Sequence, residues 1–250
     1  MTEKFTKGDL EGVFGKIGGR LRGKVEVFLL GGGAMCFRNQ KNATKELDLV
    51  FKNTKEFNAF ASAIAKLGFS EPKRIETEYV EMKASGIWKN RDGLRLDLFV
   101  GKVCGVLELS EWMASRSELL GTYGNMAVKM VSNEDVILFK GITERADDAN
   151  DIAAIIRTSR IKWDVVLAEC AAQSDAKAWY VALYNKLVEL EEMHKITVPI
   201  ARRLKKLDSA AILKEAYATR INRGLSRKSA VEELIKIGFT KEEIGKAIKD

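Results

Sequence analysis

The chain has 250 residues, 46% hydrophobic and 31% charged, with a formal net charge of +7, a globular composition large enough for one big domain or two modest ones. It contains no apolar run of membrane-spanning length, and Met1-Thr2-Glu3-Lys4 opens no apolar signal region, so a cytoplasmic protein without a membrane partner is expected. A single histidine, His194, excludes histidine-pair metal chemistry, and three separated cysteines, Cys36, Cys104 and Cys170, fit a reduced cytoplasm better than a disulfide framework or a cysteine-rich zinc site.

In chain order, Gly8 to Arg22 reads as an amphipathic helix weakened by glycines. Val25–Leu30 reads as a strand, Gly32–Arg38 as a short helix and Asn39–Thr44 as a loop. Leu47–Phe51 is a second strand. Thr54 is the expected cap of a helix with Phe57, Phe60, Ala61, Ile64 and Leu67 at helical spacing, stopped by Gly68. Runs from Tyr79 to Trp88 and Leu94 to Val100 flank Asn90-Arg91-Asp92-Gly93, a hairpin signal. Met126–Val131 is a further strand, and Ser132 or Asn133 caps a helix running through Lys140. From Asp147 nearly everything reads as helix, closing with two short helices over Ser229–Asp250. Gly238 ends the first and Glu243 sits at the capping-box position after Thr240. The implied class is α+β: a mixed sheet with helices on one face over residues 1–157, then a helical domain over 158–250.

The most informative stretch is Leu29-Leu30-Gly31-Gly32-Gly33 followed by Thr44-Lys45-Glu46-Leu47-Asp48-Leu49. Side chains in a strand alternate faces, so Glu46 and Asp48 project together while Leu47 and Leu49 enter the core. Two carboxylates on one face of a buried strand repel and are costly to desolvate, and a divalent cation is the usual compensation. The glycines allow close backbone approach to a ligand, and free N–H groups there suit a phosphate. Neither a dinucleotide fingerprint nor a P-loop is present.

These residues resemble the nucleotidyltransferase superfamily of DNA polymerase beta, whose signature is an apolar residue, two small residues, about a dozen more, then Asp-apolar-Asp/Glu. Glu46 stands where that family nearly always has Asp. The resemblance implies a third carboxylate on a later strand, which Asp97 matches in Leu94-Arg95-Leu96-Asp97-Leu98; alternatively, Arg95 and Asp97 face solvent on an edge strand. Glu46, Asp48 and Asp97 would then hold Mg²⁺ or Mn²⁺. Gly31, Gly32 and Gly33 would contact the triphosphate of an NTP. Thr44 would touch phosphate or cap a turn. A second likeness, to minimal nucleotidyltransferases that include abortive-infection toxins, covers Lys140, Arg145 and the acids after them. It implies that Lys140 and Arg145 bind the triphosphate, with Asp148 or Asp151 orienting them. The plainer alternative is a helix–loop–helix whose acids oppose the helix dipole.

From Ile196 to Lys228 nine basic residues face two acidic ones. This stretch is either a nucleic-acid track or a solvated helix face, and Tyr217 alone offers a stacking ring. The expected activity is transfer of a nucleotide monophosphate from an NTP to a protein or RNA acceptor. The alternatives are a catalytically weakened module that binds nucleotide or RNA, and a toxin–antitoxin component.

Overall fold

The computed structural model describes residues 4–72, 84–105, 107–143, 145, 147–173 and 176–249. The chain divides into two compact units, Met1–Lys140 with Asp151–Ile161, and Gly141–Asn150 with Lys162–Asp250. β1 (Phe5–Thr6) leads into α1 (Lys7–Arg20), β2 (Val25–Leu29), α2 (Gly31–Phe37), β3 (Ala43–Thr44), β4 (Glu46–Phe51) and α3 (Thr54–Ala65). Then come β5 (Gly86–Lys89), β6 (Arg95–Val100), β7 (Lys102–Val103), β8 (Leu107–Glu108), α4 (Glu111–Arg116), β9 (Glu118–Tyr123) and β10 (Met126–Met130). The helices α5 (Asn133–Gly141) and α6 (Asp148–Thr158) follow.

Six strands form one mixed sheet in the order β5-β6-β4-β2-β10-β9. The pairs β4–β6 and β2–β10 are parallel and the others antiparallel. The inner strands are apolar because they lie among neighbours on both sides: Val27, Leu29, Leu47, Leu49, Leu96 and Leu98 are all fully buried. α3 packs against β2, β4 and β6, where Phe60 meets Phe51 at 5.0 Å between ring centroids.

The Asn90–Gly93 hairpin is present, with Asn90 Oδ1 accepting from the Leu94 N–H and Gly93 at φ 88°. The strand expected from Tyr79 is described only from residue 84, so its first part lies outside the described residues. Ser132 Oγ accepts from the Asp135 N–H, making Ser132 the cap of α5. The cap expected at Thr54 sits one residue earlier: Asn53 Oδ1 accepts from the Glu56 N–H at 3.0 Å, and Thr54 is already helical. Two short strands not read from the sequence, β1 and β3, pair antiparallel and place Phe5 opposite Thr44.

The second unit is helical: α7 (Trp163–Ala172), α8 (Ala176–His194), α9 (Ala201–Asn222), α10 (Arg227–Lys236) and α11 (Lys241–Lys249). Thr240 and Glu243 close the expected capping box. Leu213, Leu234, Ile244 and Ala247 form a small core joining α9, α10 and α11, and Tyr217 packs against it. The C-terminal helices are therefore a packed hairpin, and the one ring that could have stacked a base serves that core. Among the described residues, no helix is long and apolar enough to cross a membrane.

Replacing Asn53 with Ala should lower stability by ~1 kcal/mol, the usual worth of an N-cap. Thr54→Ala should change it by less than about 0.5 kcal/mol. Urea unfolding separates the two; equal losses would return the cap to Thr54.

Candidate metal centre

The parallel register of β4 and β6 builds the site. Glu46 lies opposite Arg95, and Asp48 opposite Asp97. Residues two apart share a face, so all four side chains project from one side of two central strands. Further along that face Val50 and Phe99 are fully buried. The polar quartet therefore occupies the first half of both strands and gives way to core. Asp97 is wholly buried, which removes the solvent-facing edge-strand alternative; Glu46 and Asp48 are half-buried.

Each of the three carboxylates offers an oxygen, and these oxygens lie within 4.8 Å of one another. Two oxygens on one Mg²⁺ ion are separated by at most about 4.2 Å, twice the metal–oxygen distance. A small adjustment of one side chain would close the set around a cation. An all-carboxylate donor set suits a hard cation better than zinc.

The glycine tract borders this cluster. Gly31 has φ +55°, and a Cβ placed there would lie 2.2 Å from Asp48 Oδ2. A Cβ on Gly32 would come within 2.8 Å of Thr44 Oγ1. Gly33 also has a packing reason: a Cβ there would press on Leu29 and Leu47 at 2.8 Å. Thr44 is buried, and its hydroxyl donates to the Glu46 carbonyl at 3.0 Å, fixing the entry into β4.

Arg95 and Lys41 are the residues that sequence reasoning did not assign to the site. Arg95 donates through Nη2 to Glu46 Oε2 and, at 2.9 Å, to Asp97 Oδ2. Its spacing from Asp97 was a usable signal, since period two puts both on one face. Lys41 carried no such signal. Its stem lies 4.0 Å from a Cβ placed on Gly32, and its ammonium donates to both oxygens of Asp151 at 3.0 and 3.1 Å. That partner is 110 residues away in sequence.

Asp151 also pairs with Lys140 at 2.7 Å. Of the two acids expected to orient Lys140 and Arg145, Asp151 pairs with Lys140, and Asp148 accepts from the Thr143 hydroxyl. Arg145 belongs to the second unit, where its carbonyl accepts from Lys186 Nζ. The loop carrying Lys41 is further tied down by Arg38, bonded to the Val131 carbonyl at 2.7 Å, and by Gln40, bonded to Asn133 and Ser159.

Burial by itself would push the Asp151 carboxyl up, but Lys140 and Lys41 outweigh it and hold the group below its ordinary 3.8. Burial pushes the thiols up, Cys36 despite the opposing charge of Lys41 and Cys170 to about 12. Neither is a thiolate nucleophile near neutral pH. His194 ends α8 and bonds Asn150 at 2.9 Å.

No protein-family model matches the sequence, and none of the curated proteins matches it.

Gly31→Ala should weaken Mn²⁺ binding about tenfold or more, the loss of one charged contact at ~1.4 kcal/mol, because the new methyl displaces the Asp48 carboxylate. Gly33→Ala should instead cost ~1–3 kcal/mol of stability through core overpacking and leave Mn²⁺ affinity within a few-fold. Calorimetric titration and thermal melts distinguish them; equal metal affinity in wild type and Gly31→Ala would detach the glycine turn from the site.

The lowered pKa of Asp151 has a defined consequence for acid stability. Its folded value is below the unfolded one, so its contribution is present above pH ~4 and disappears as pH falls through the folded value. Asp151→Asn should flatten the fall of Tm with pH below about 5. An unchanged acid limb would mean that the two lysines contribute nothing through this carboxylate.

Proposed function

We propose that this protein is a cytoplasmic, divalent-metal-dependent nucleotidyltransferase that moves a nucleotide monophosphate from an NTP to a hydroxyl on an RNA or protein acceptor. Its first unit would have the fold of the DNA polymerase beta superfamily, with a mixed sheet covered by helices on one face. The supporting observation is the register of two neighbouring parallel strands, which sets Asp48 beside Asp97 with Glu46 on the same face and Gly31 against Asp48.

In this reading Asp48, Asp97 and Glu46 hold Mg²⁺ or Mn²⁺, which when bound would lower the pKa of the acceptor hydroxyl and neutralise charge at the α-phosphate. Gly31 and Gly32 leave room for phosphate oxygens to approach the backbone. Lys41 and Lys140, both on Asp151, are point charges of the kind that bind β- and γ-phosphates. Arg145 joins them only on the strength of the family likeness. Gly33 acts by packing α2 close to the sheet.

A second reading, a module that binds nucleotide or RNA without efficient transfer, is favoured by one observation: Glu46, in place of the family's Asp, is engaged by Arg95.

The deciding experiment incubates the protein with each of the four NTPs, Mg²⁺ or Mn²⁺, and a pool of total RNA and lysate acceptors. Pyrophosphate release is expected, and should be abolished in Asp48→Asn and Asp97→Asn. Lys41→Ala and Lys140→Ala should each weaken NTP binding by ~1.5–3 kcal/mol, the worth of a charged hydrogen bond, with little change in monophosphate binding. NTP binding without pyrophosphate release would support the binding module. Absence of both NTP and metal binding would overturn the two readings together.

A further inference from the structure

We propose that the groove between α8 and α9 is a docking site for a short acidic amphipathic helix of a partner protein. The two helices belong to the second unit and pack along each other, and only residues 195–200 join them, so they form an antiparallel hairpin. At the turn end a cleft of about 610 Å³ opens between them. Tyr184, Val188, Val198 and Pro199 give it an apolar lining, and Arg202 and Lys205 stand on its α9 wall. Pro199, Arg202 and Lys205 are exposed, so the cleft is open along its side, whereas a small-molecule pocket buries most of its ligand.

The apolar lining continues past the cleft. Val181 lies seven residues before Val188, and Ile212 seven after Lys205, two turns along the same face in each helix. Antiparallel packing brings these two positions to the same level. Val181 is 36% exposed and Ile212 50%, and two large apolar side chains flanking one groove make a patch, unlike scattered single residues. From Val181 to Glu191 the α8 wall is ~15 Å long. A trough of that length between two helices fits a third helix, held by apolar anchors at i, i+3, i+4 and i+7.

Charge decides the kind of helix. Arg202 and Lys205 stand in the first turns of a 22-residue helix that has no acid in its first turn, and the helix dipole disfavours cations there. Neither has an ion-pair partner among the described residues, whereas the adjacent Arg203 pairs with Asp164. On the facing wall, Glu191 accepts from the Thr197 hydroxyl at 2.9 Å. Carboxylates at one end of the incoming helix would meet both cations and the positive end of α9, while its apolar face covers Val188, Val181 and Ile212.

The test is fluorescence anisotropy of the full-length protein with a labelled synthetic helix of about 16 residues, ~24 Å long, carrying leucines along one face and glutamates in one terminal turn. It should bind at least about tenfold more tightly than the same peptide with lysines for glutamates. Arg202→Glu combined with Lys205→Glu should reverse that preference, and Arg202→Gln combined with Lys205→Gln should abolish it. Val181→Asp and Ile212→Asp should each weaken the acidic peptide several-fold without lowering Tm, since both side chains are exposed. Equal affinity for the two peptides, or a preference that survives both charge changes, would overturn the proposal. So would failure of the acidic peptide to bind, including the case in which phosphatidylglycerol vesicles or duplex RNA bind in its place.

Discussion

Pairing of β4 with β6 sets two aspartates side by side in the middle of a sheet, and the site depends on that arrangement being tolerated. Same-face neighbours on adjacent strands have Cβ atoms ~5 Å apart. At an effective dielectric of 20, two unit charges at that distance repel by on the order of 3 kcal/mol. The opposite face supplies the compensation. Leu47, Leu49, Leu96 and Leu98 are fully buried there, each worth ~1.5–3 kcal/mol against exposure. Slipping one strand by one residue would turn its leucines to the carboxylate face and its acids to the core. The hydrophobic contribution exceeds the repulsion by a factor of two or more, so the core fixes the register and the register fixes the acids.

The segment between the glycines and β4 needs anchors from elsewhere in the first unit, because it has little regular structure. Arg38 reaches the Val131 carbonyl, Gln40 reaches Asn133 and Ser159, and Lys41 reaches Asp151. The β1–β3 pairing holds its far end beside buried Thr44. The turn that brings Gly31 against Asp48 is thus defined by contacts at both ends. These anchors come from the end of β10, from α5 and from α6, which explains why a short loop can hold a lysine in a fixed place beside Gly32.

Much of this was legible from local pattern. Alternation revealed Glu46, Asp48 and Asp97 on strands, and Asp-Gly revealed the β5–β6 hairpin. Capping chemistry located α5 and α11. What escaped was set by distant partners or carried little hydrophobic signal. β9, Glu118–Tyr123, is an edge strand with no fully buried residue, so it lacks the apolar alternation that marks a strand. β3 exists because β1 pairs with it, and two residues carry no period. Lys41 acquires its place from Asp151. Arg95 was visible by spacing, but its meaning depends on Glu46 lying directly across from it, and parallel register cannot be read from one strand alone.

Glu46 stands at the outer end of the carboxylate group, and the neighbouring strand offers a physical reason for a glutamate there. A glutamate carries its carboxylate one methylene further from the backbone than an aspartate. At the outer end of the quartet, opposite Arg95, that reach lets the carboxylate meet the guanidinium, which simultaneously holds Asp97. An aspartate at this position would draw its oxygens back towards β4 and leave Arg95 to Asp97 alone. Arginine at 95 and glutamate at 46 are therefore complementary choices: the charge that Arg95 brings into a carboxylate site is matched by an acid long enough to share it. The same pairing sets a guanidinium on the buried Asp97, so the strand pair carries a counter-charge of its own.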